Sequence, residues 1–458
     1  MTRTQTLMAA LVCGLALQVG VLQADFQATD PGVRPGPPGA GGMIDGLTDS
    51  EKALFTAGLE DFNESDTVAS GLGPRFNLDS CAGCHAAPAV GGTSPAVNPQ
   101  VAVATAFGAK NVLPFFVKSD GPVREVRFKY NADGAPDGGV HALFVISGRN
   151  DGTADASGCT IKQEDFQTQA QKSNIVFRIP TPVFGGGLIE SIPDWVIMNN
   201  LAATANGKAG LGIGGRPNRL RPTGAPNTSG NDGTITKFGW KAQNKSLLIF
   251  AGEAYNVEQG ISNELFPQER DETPSCQFAT VPNDVTNPTA ATFAEGLGGP
   301  EKFANFMRFL ASPAPSTSGP GTVSSISNGK NLFQKIGCAY CHTPTLYTGN
   351  TTVVALRKKA VNLYSDLALH AMGSGLADDV SQGQAGGDEF RTAPLWGLGQ
   401  RIFFLHDGRS KNLKDAIAQH KSAGNTKYPP SEANAVIDNY YQLSEGQKQD
   451  LLNFLRSL

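Results

Sequence analysis

Apolar residues recur at helical spacing in segments that echo one another across the chain. Phe303, Phe306, Met307 and Leu310 follow the three-and-four spacing of one helix face. The stretch Asn305-Phe306-Met307-Arg308-Phe309-Leu310 returns at the C-terminus as Asn453-Phe454-Leu455-Arg456-Ser457-Leu458. Upstream, Thr48-Asp49-Ser50-Glu51 is a capping box that opens a helix through about Phe62. Within that helix Gly58 and Phe62 are four apart, as are Gly329 and Phe333. A glycine there lets a second helix approach closely, with the aromatic ring packing beside it. A third echo pairs Phe177-Arg178 and Pro182-Val183-Phe184-Gly185-Gly186-Gly187 with Phe390-Arg391 and Pro394-Leu395-Trp396-Gly397-Leu398-Gly399. The pattern predicts two diverged copies of one helical module.

The copies differ in length. The first carries a strand-like stretch over Val123 to Tyr130 and His141 to Ile146, and a helical one over Asn244 to Tyr255. Ser312 to Gly321 is rich in Pro, Ser and Gly and reads as a linker. At the N-terminus, Met1-Thr2-Arg3 precedes an apolar run from Leu7 to Leu22 and a small residue, Ala24. This is an export leader, too short to span a bilayer comfortably. The expected division is a signal peptide over 1–24, an N-terminal domain over 25–311, a linker over 312–322 and a C-terminal domain over 323–458.

Composition sets bounds. With 54 Gly, 29 Pro and only 17% charged residues, much of the chain should be irregular and packed around cofactors. The 37 Lys and Arg against 41 Asp and Glu give a net charge of −4, or −5 once Arg3 leaves with the leader. A mildly acidic chain without a basic cluster excludes nucleic acid as an expected partner. No later stretch is long and apolar enough to span a membrane.

The chemistry lies in two pentapeptides, Cys81-Ala82-Gly83-Cys84-His85 and Cys338-Ala339-Tyr340-Cys341-His342. In each, two thiols three residues apart reach the two vinyl groups along one haem edge. The adjacent histidine then lies beneath the iron. The pattern predicts two covalent haems c with His85 and His342 as proximal ligands. Zinc or dithiol chemistry at these motifs is the alternative. Cys13 falls in the leader, leaving Cys159 and Cys276 as an even pair in an oxidising compartment. They form a disulfide or stand as two buried thiols.

With Phe390-Arg391-Thr392-Ala393-Pro394-Leu395-Trp396 and Leu405-His406-Asp407-Gly408-Arg409, these motifs resemble the bacterial di-haem cytochrome c peroxidase superfamily. The nearer match is its branch of di-haem (putative thiol) oxidoreductases. That match is carried by Gly73-Pro74-Arg75-Phe76-Asn77, Phe184 to Glu190, Phe238-Gly239-Trp240-Lys241-Ala242 and Tyr364-Ser365-Asp366-Leu367. Relatives include a methylamine-utilisation enzyme and a rubber oxygenase, so the scaffold carries over and the substrate does not. The resemblance implies a mainly α fold of two cytochrome c-like domains, each with one covalent haem, and a minor β insertion in the larger N-terminal one. It implies that the second iron takes its sixth ligand about fourteen residues beyond His406, at His420, with Met372 as the rival. His370 and His406 then bond haem propionates or order loops; the resemblance assigns His141 no role, which leaves it as an open candidate for a removable ligand on the first iron.

The superfamily's peroxidases place a carboxylate on the open side of the first haem. Glu190, after a Gly-Gly-Gly turn, is the expected proton carrier there, with Asp194 as fallback. Trp240 and Trp396, with Trp195 behind them, are candidate electron relays. A calcium ion between domains is a further expectation, and the loop Asn131 to Gly139 offers oxygen ligands without a complete EF-hand pattern. The resulting function is a periplasmic di-haem oxidoreductase of peroxidase type, with peroxide or oxygen as substrate. Its electrons would come from a small donor, a cytochrome or cupredoxin. The alternatives are a pure electron-transfer cytochrome and an oxygenase or oxidant of protein or thiol substrates.

Overall fold

The computed structural model describes residues 26–219, 234–316 and 319–458. The expected signal peptide lies outside the described residues, as does part of the linker. Among the described residues, short helices joined by long irregular segments dominate, with four small antiparallel sheets of two or three strands.

Two helix crossings organise the molecule, and they are built alike. The Asp49–Asn63 helix starts at the Thr48–Glu51 capping box and lies against the Gly299–Phe309 helix. The Val323–Lys335 helix lies against the Glu445–Ser457 helix. A Cβ on Gly58 would stand 2.2 Å from the Lys302 carbonyl oxygen, and one on Gly329 would stand 2.0 Å from that of Asp450. Only glycine allows either approach. Phe62 then packs on Phe306 with ring centroids 4.7 Å apart, and Phe333 packs on Phe454 at 5.5 Å. Gly329→Ala should therefore cost roughly 1–3 kcal/mol by overpacking, read as a lower midpoint in denaturant.

The third echo folds as a repeat too. Gly185 and Gly397 both take positive φ, +63° and +73°. Two residues on, Gly187 and Gly399 lie so close to the carbonyl oxygens of Arg308 and Arg456 that a Cβ would approach to 2.1 and 2.2 Å.

The expected strand stretches form in part: 123–130 holds Glu125–Phe128, whereas 141–146 is split into Val140–His141 and Phe144–Val145, the latter paired with Arg75–Phe76, and Ile175–Arg178 is an unexpected third strand. Glu125–Phe128 pairs with Val140–His141 on one side and Ile175–Arg178 on the other, with Val126 opposite both His141 and Phe177. The expected helix over 244–255 forms as Leu247–Ala254, capped by Ser246, and continues into a π-helical turn at Tyr255–Gln259. Cys159 and Cys276 are joined by a disulfide that closes a sequence separation of 117 residues. Because a crosslink this distant restricts the unfolded chain strongly, the double Ser variant should lose roughly 2–4 kcal/mol of unfolding free energy. Urea unfolding checks this.

The first described residues do not pack where their position in the chain suggests. Asp30 pairs with Arg456 of the C-terminal helix at 2.8 Å, and Arg34 donates its backbone N–H to the Gly399 carbonyl. Arg456 is almost fully buried, so its charge needs that carboxylate. Residues 28–34 thus strap the far end of the chain.

Two candidate haem cavities

Each Cys-x-x-Cys-His motif folds as one tight turn at the wall of a cavity. In the first, Cys81–Cys84 is a single helical turn closed by the His85 N–H to the Cys81 carbonyl, 3.0 Å. In the second, a 3₁₀ turn at Cys338–Tyr340 is closed by the His342 N–H to the Cys338 carbonyl, 2.9 Å. Each turn holds its two sulfurs and its imidazole on one cavity. The space free of protein atoms there, open solvent included, is about 1140 Å³ in the first and 1450 Å³ in the second.

The imidazoles are oriented by backbone. His85 Nδ1 lies 3.0 Å from the Gly92 carbonyl oxygen, and His342 Nδ1 lies 3.1 Å from that of Tyr364. Donation to a carbonyl assigns the proton to Nδ1 and leaves the lone pair on Nε2. Burial pushes both rings down to about 4, so both are neutral at physiological pH. The helix-crossing aromatics stand beside them, Phe62 at 5.9 Å from His85 and Phe333 at 6.4 Å from His342.

The second cavity gathers the remaining candidates. His420, at the end of the Leu413–Ala418 helix, lines it together with His342, His370, Met372 and His406. His420 Nδ1 lies 2.7 Å from the Ala416 carbonyl oxygen, so its lone pair also falls on Nε2. His370 is different, because both of its ring nitrogens face carboxylates: Nδ1 lies 2.7 Å from Glu432 and Nε2 3.1 Å from Asp366. It has no lone pair to offer a metal. His406 stacks on Phe390 at 4.3 Å and is held neutral by burial, down to about 4.

The first cavity corrects two expectations. Glu190 does not line it. Its carboxylate is buried, taking the Leu247 backbone N–H at 2.9 Å and the Arg308 guanidinium at 3.0 Å. Of the preceding glycines, Gly186 packs on the Met307 carbonyl and Gly187 on that of Arg308, while Gly185 packs on Trp396. Asp194 is likewise committed, accepting the backbone N–H groups of Thr234 and Ile235. His141 also stands away from the cavity. It stacks on Phe128 at 3.6 Å, and its Nε2 lies 2.7 Å from Asp137.

A carboxylate is present in the first cavity, and sequence reasoning missed it. Glu258 lies in the π-helical turn with its side chain on the cavity that Cys81, Cys84 and His85 also line. Burial, reinforced by Glu125, pushes its carboxyl up to about 8. π turns interrupt helices at functional sites with some regularity. The only sequence signal was an acidic residue between a strongly apolar helix and Gly260.

Cations complete both cavities. Arg124, Arg127 and Arg178 line the first, and Arg391 and Arg401 the second. Arg178 and Arg391 are the arginines of the third echo. One buried guanidinium nitrogen on each of Arg124, Arg178 and Arg391 has no hydrogen-bond partner and is free to meet an anion, although Arg178 is also ion-paired with Asp378 at 2.7 Å. Haem, an apolar disc with two propionates, fits an apolar cavity that ends on such arginines.

Trp240 lines both cavities. Its indole N–H donates to the Ile179 carbonyl at 2.9 Å, and its ring stands 6.4 Å from His406. Trp396 is buried against Gly185 in the core and lines neither, and Trp195 is mostly exposed. The Asn131–Gly139 loop is a turn in which Asp133 and Asp137 cap backbone N–H groups. Among the described residues no group of three or more His, Cys, Asp or Glu side chains is placed to hold a metal ion. None of the described helices is long and apolar enough to cross a membrane.

A mainly helical fold with two such cavities is what a di-haem oxidoreductase requires. Residues 121–458 match the family described as "Di-haem oxidoreductase, putative peroxidase", and the chain belongs to it. Haem is therefore its cofactor class. No curated protein matches the chain. Among solved structures, hydrazine synthase of Kuenenia stuttgartiensis is similar at 14% identity and a TM-score of 0.35, covering 98% of this chain and 100% of its own. A MauG-like protein associated with microbial copper homeostasis is 17% identical over 54% of this chain and 74% of its own, with a TM-score of 0.30. The diheme peroxidase BthA of Burkholderia thailandensis is 14% identical over 48% and 65%, with a TM-score of 0.29. Likeness at these scores carries no argument about this chain.

Proposed function

We propose that the chain is a peroxidase-type di-haem oxidoreductase of the periplasm, reactive at its first cavity and electron-relaying at its second. Its two covalent haems would attach at Cys81/Cys84 and Cys338/Cys341, one in the domain 25–311 and one in the domain 323–458. The observation that carries the reading is the asymmetry of the cavities. The second offers two imidazoles with free Nε2 lone pairs, His342 and His420; the first is lined by one histidine, His85, and by three glutamates, Glu125, Glu253 and Glu258, of which Glu258 is the one burial pushes up to about 8. An iron held by two histidines passes electrons, whereas one with a single protein ligand has room for a substrate.

When bound, the first haem supplies an iron at which a peroxide O–O bond is cleaved, consuming two electrons and two protons to give two waters. The protein's part is proton handling and positioning. Glu258, on the wall of the first cavity with its carboxyl pushed up to about 8, holds a proton at neutral pH and would be the proton carrier for a peroxide in that cavity. Arg124, Arg178 and Arg391 would meet the haem propionates with their unpaired guanidinium nitrogens. Trp240, on both cavities, is the bridge by which electrons cross, and a small cytochrome or cupredoxin is the expected donor.

The test is stopped-flow mixing of the half-reduced and fully reduced protein with hydrogen peroxide. Consumption of one peroxide per two electrons supports the reading. Inert haems at every level of reduction would leave an electron carrier. Oxygen-dependent turnover without peroxide would leave an oxygenase.

A further inference from the structure

Beside the second attachment turn lies a cluster of four charged side chains, three buried and the fourth, Glu432, partly exposed, drawn from three distant parts of the chain. Lys208, in the Ala205–Gly210 helix, places Nζ 3.1 Å from Asp366 Oδ2. The same oxygen lies 3.1 Å from His370 Nε2, and Glu432 Oε2 lies 2.7 Å from His370 Nδ1. Lys208, Asp366 and His370 are each at most 3% exposed. With a carboxylate at each nitrogen, both ring nitrogens must donate, so the ring is an imidazolium. Gly215, at φ +77°, lies so close that a Cβ there would stand 2.7 Å from His370 Cε1, which fixes the ring.

The cluster touches the haem machinery in two places. His370 Nδ1 is 3.6 Å from Cys341 Sγ, the sulfur that would carry a thioether. Asp366 donates its backbone N–H to the Cys341 carbonyl at 2.8 Å, and two residues earlier the Tyr364 carbonyl takes the His342 Nδ1 proton. By count the four charges cancel. A neutral His370 would leave two carboxylates against one ammonium, a net negative charge buried at the edge of the iron site.

We propose that His370, locked as a cation between Asp366 and Glu432 and backed by Lys208, is a positioning and charge-setting residue that raises the reduction potential of the second haem. This rests on the assignment of a haem to Cys338, Cys341 and His342. The physical basis is that buried charge close to a cofactor is poorly screened. A positive group there stabilises the reduced iron, which carries one positive charge fewer. Lys208 enters from a helix far upstream of the second motif, so the N-terminal part of the chain sets the potential of the C-terminal site.

The experiment is a spectroelectrochemical titration of the purified holoprotein, with haem content measured first, on wild type, His370→Gln, His370→Lys and Lys208→Met. The expected result is a lower potential for the second haem in His370→Gln and Lys208→Met, with the first haem unmoved. In His370→Lys the potential should return towards wild type, because the cation is restored without the imidazole. An unmoved potential in the two charge-removing variants overturns the proposal, as does a His370→Lys potential as low as that of His370→Gln. Should His370→Gln fail to load haem, Lys208→Met decides by the same sign. A wild type with no haem at the second motif overturns the underlying assignment instead, so the two failures are distinguishable.

Discussion

Replacing Glu258 by Gln should lower peroxide turnover by about 10²–10⁴-fold, the usual contribution of a positioned proton carrier, with both haem spectra unchanged. The amide preserves size and removes the transferable proton. Its turn is held by neighbours that the change does not touch. Gln259 Nε2 donates to Asp66 at 2.7 Å, and Asn256 donates to the Gln268 carbonyl at 3.1 Å. The contrast is Glu190→Gln. Since Glu190 pairs with Arg308 at 3.0 Å and is buried, its loss should appear as roughly 1–3 kcal/mol of stability with near-normal turnover per folded molecule. Peroxide kinetics and denaturant midpoints on both variants check the pair. Equal turnover in Glu258→Gln and wild type would remove Glu258 from the chemistry.

The second large effect concerns His420. In His420→Ala the second iron should lose its sixth ligand, so its low-spin ferric signal should give way to a high-spin one. Added cyanide or azide should then bind at a site closed in wild type. The ring is set for this role by the bond from Nδ1 to the Ala416 carbonyl within its own helix turn, and its neighbours Leu413 and Ala416 are buried. The fold should survive, because the side chain faces a cavity rather than packed core. If the low-spin signal persists in His420→Ala, the ligand is another cavity residue, and Met372 is the next to replace.

Much of the architecture was legible because it depends on local rules. The Gly58/Phe62 and Gly329/Phe333 spacings predicted the two helix crossings, since only a glycine admits a neighbouring backbone at about 2 Å from its missing Cβ. The two attachment turns and the strand at 125–128 were readable on similar grounds, and counting the remaining cysteines left Cys159 and Cys276 as the candidate pair. What failed to show was long-range or irregular. Glu258 sits in a π turn, which has no sequence period. The His370 cluster joins residues as far apart as 208 and 432, and the Asp30–Arg456 pair spans 426 positions. Glu190 misled because three glycines in a row suggest motion, whereas here two of them are contact surfaces for the Gly299–Phe309 helix.

The most direct test of the central claim is a low-temperature EPR spectrum of the purified ferric protein and of its half-reduced form, with haem quantified per chain. Two haems c are expected, with one low-spin signal from the second site and a high-spin signal from the first, present from the start or appearing on half-reduction. Fewer than two haems, or two low-spin signals that persist on half-reduction, would contradict the claim.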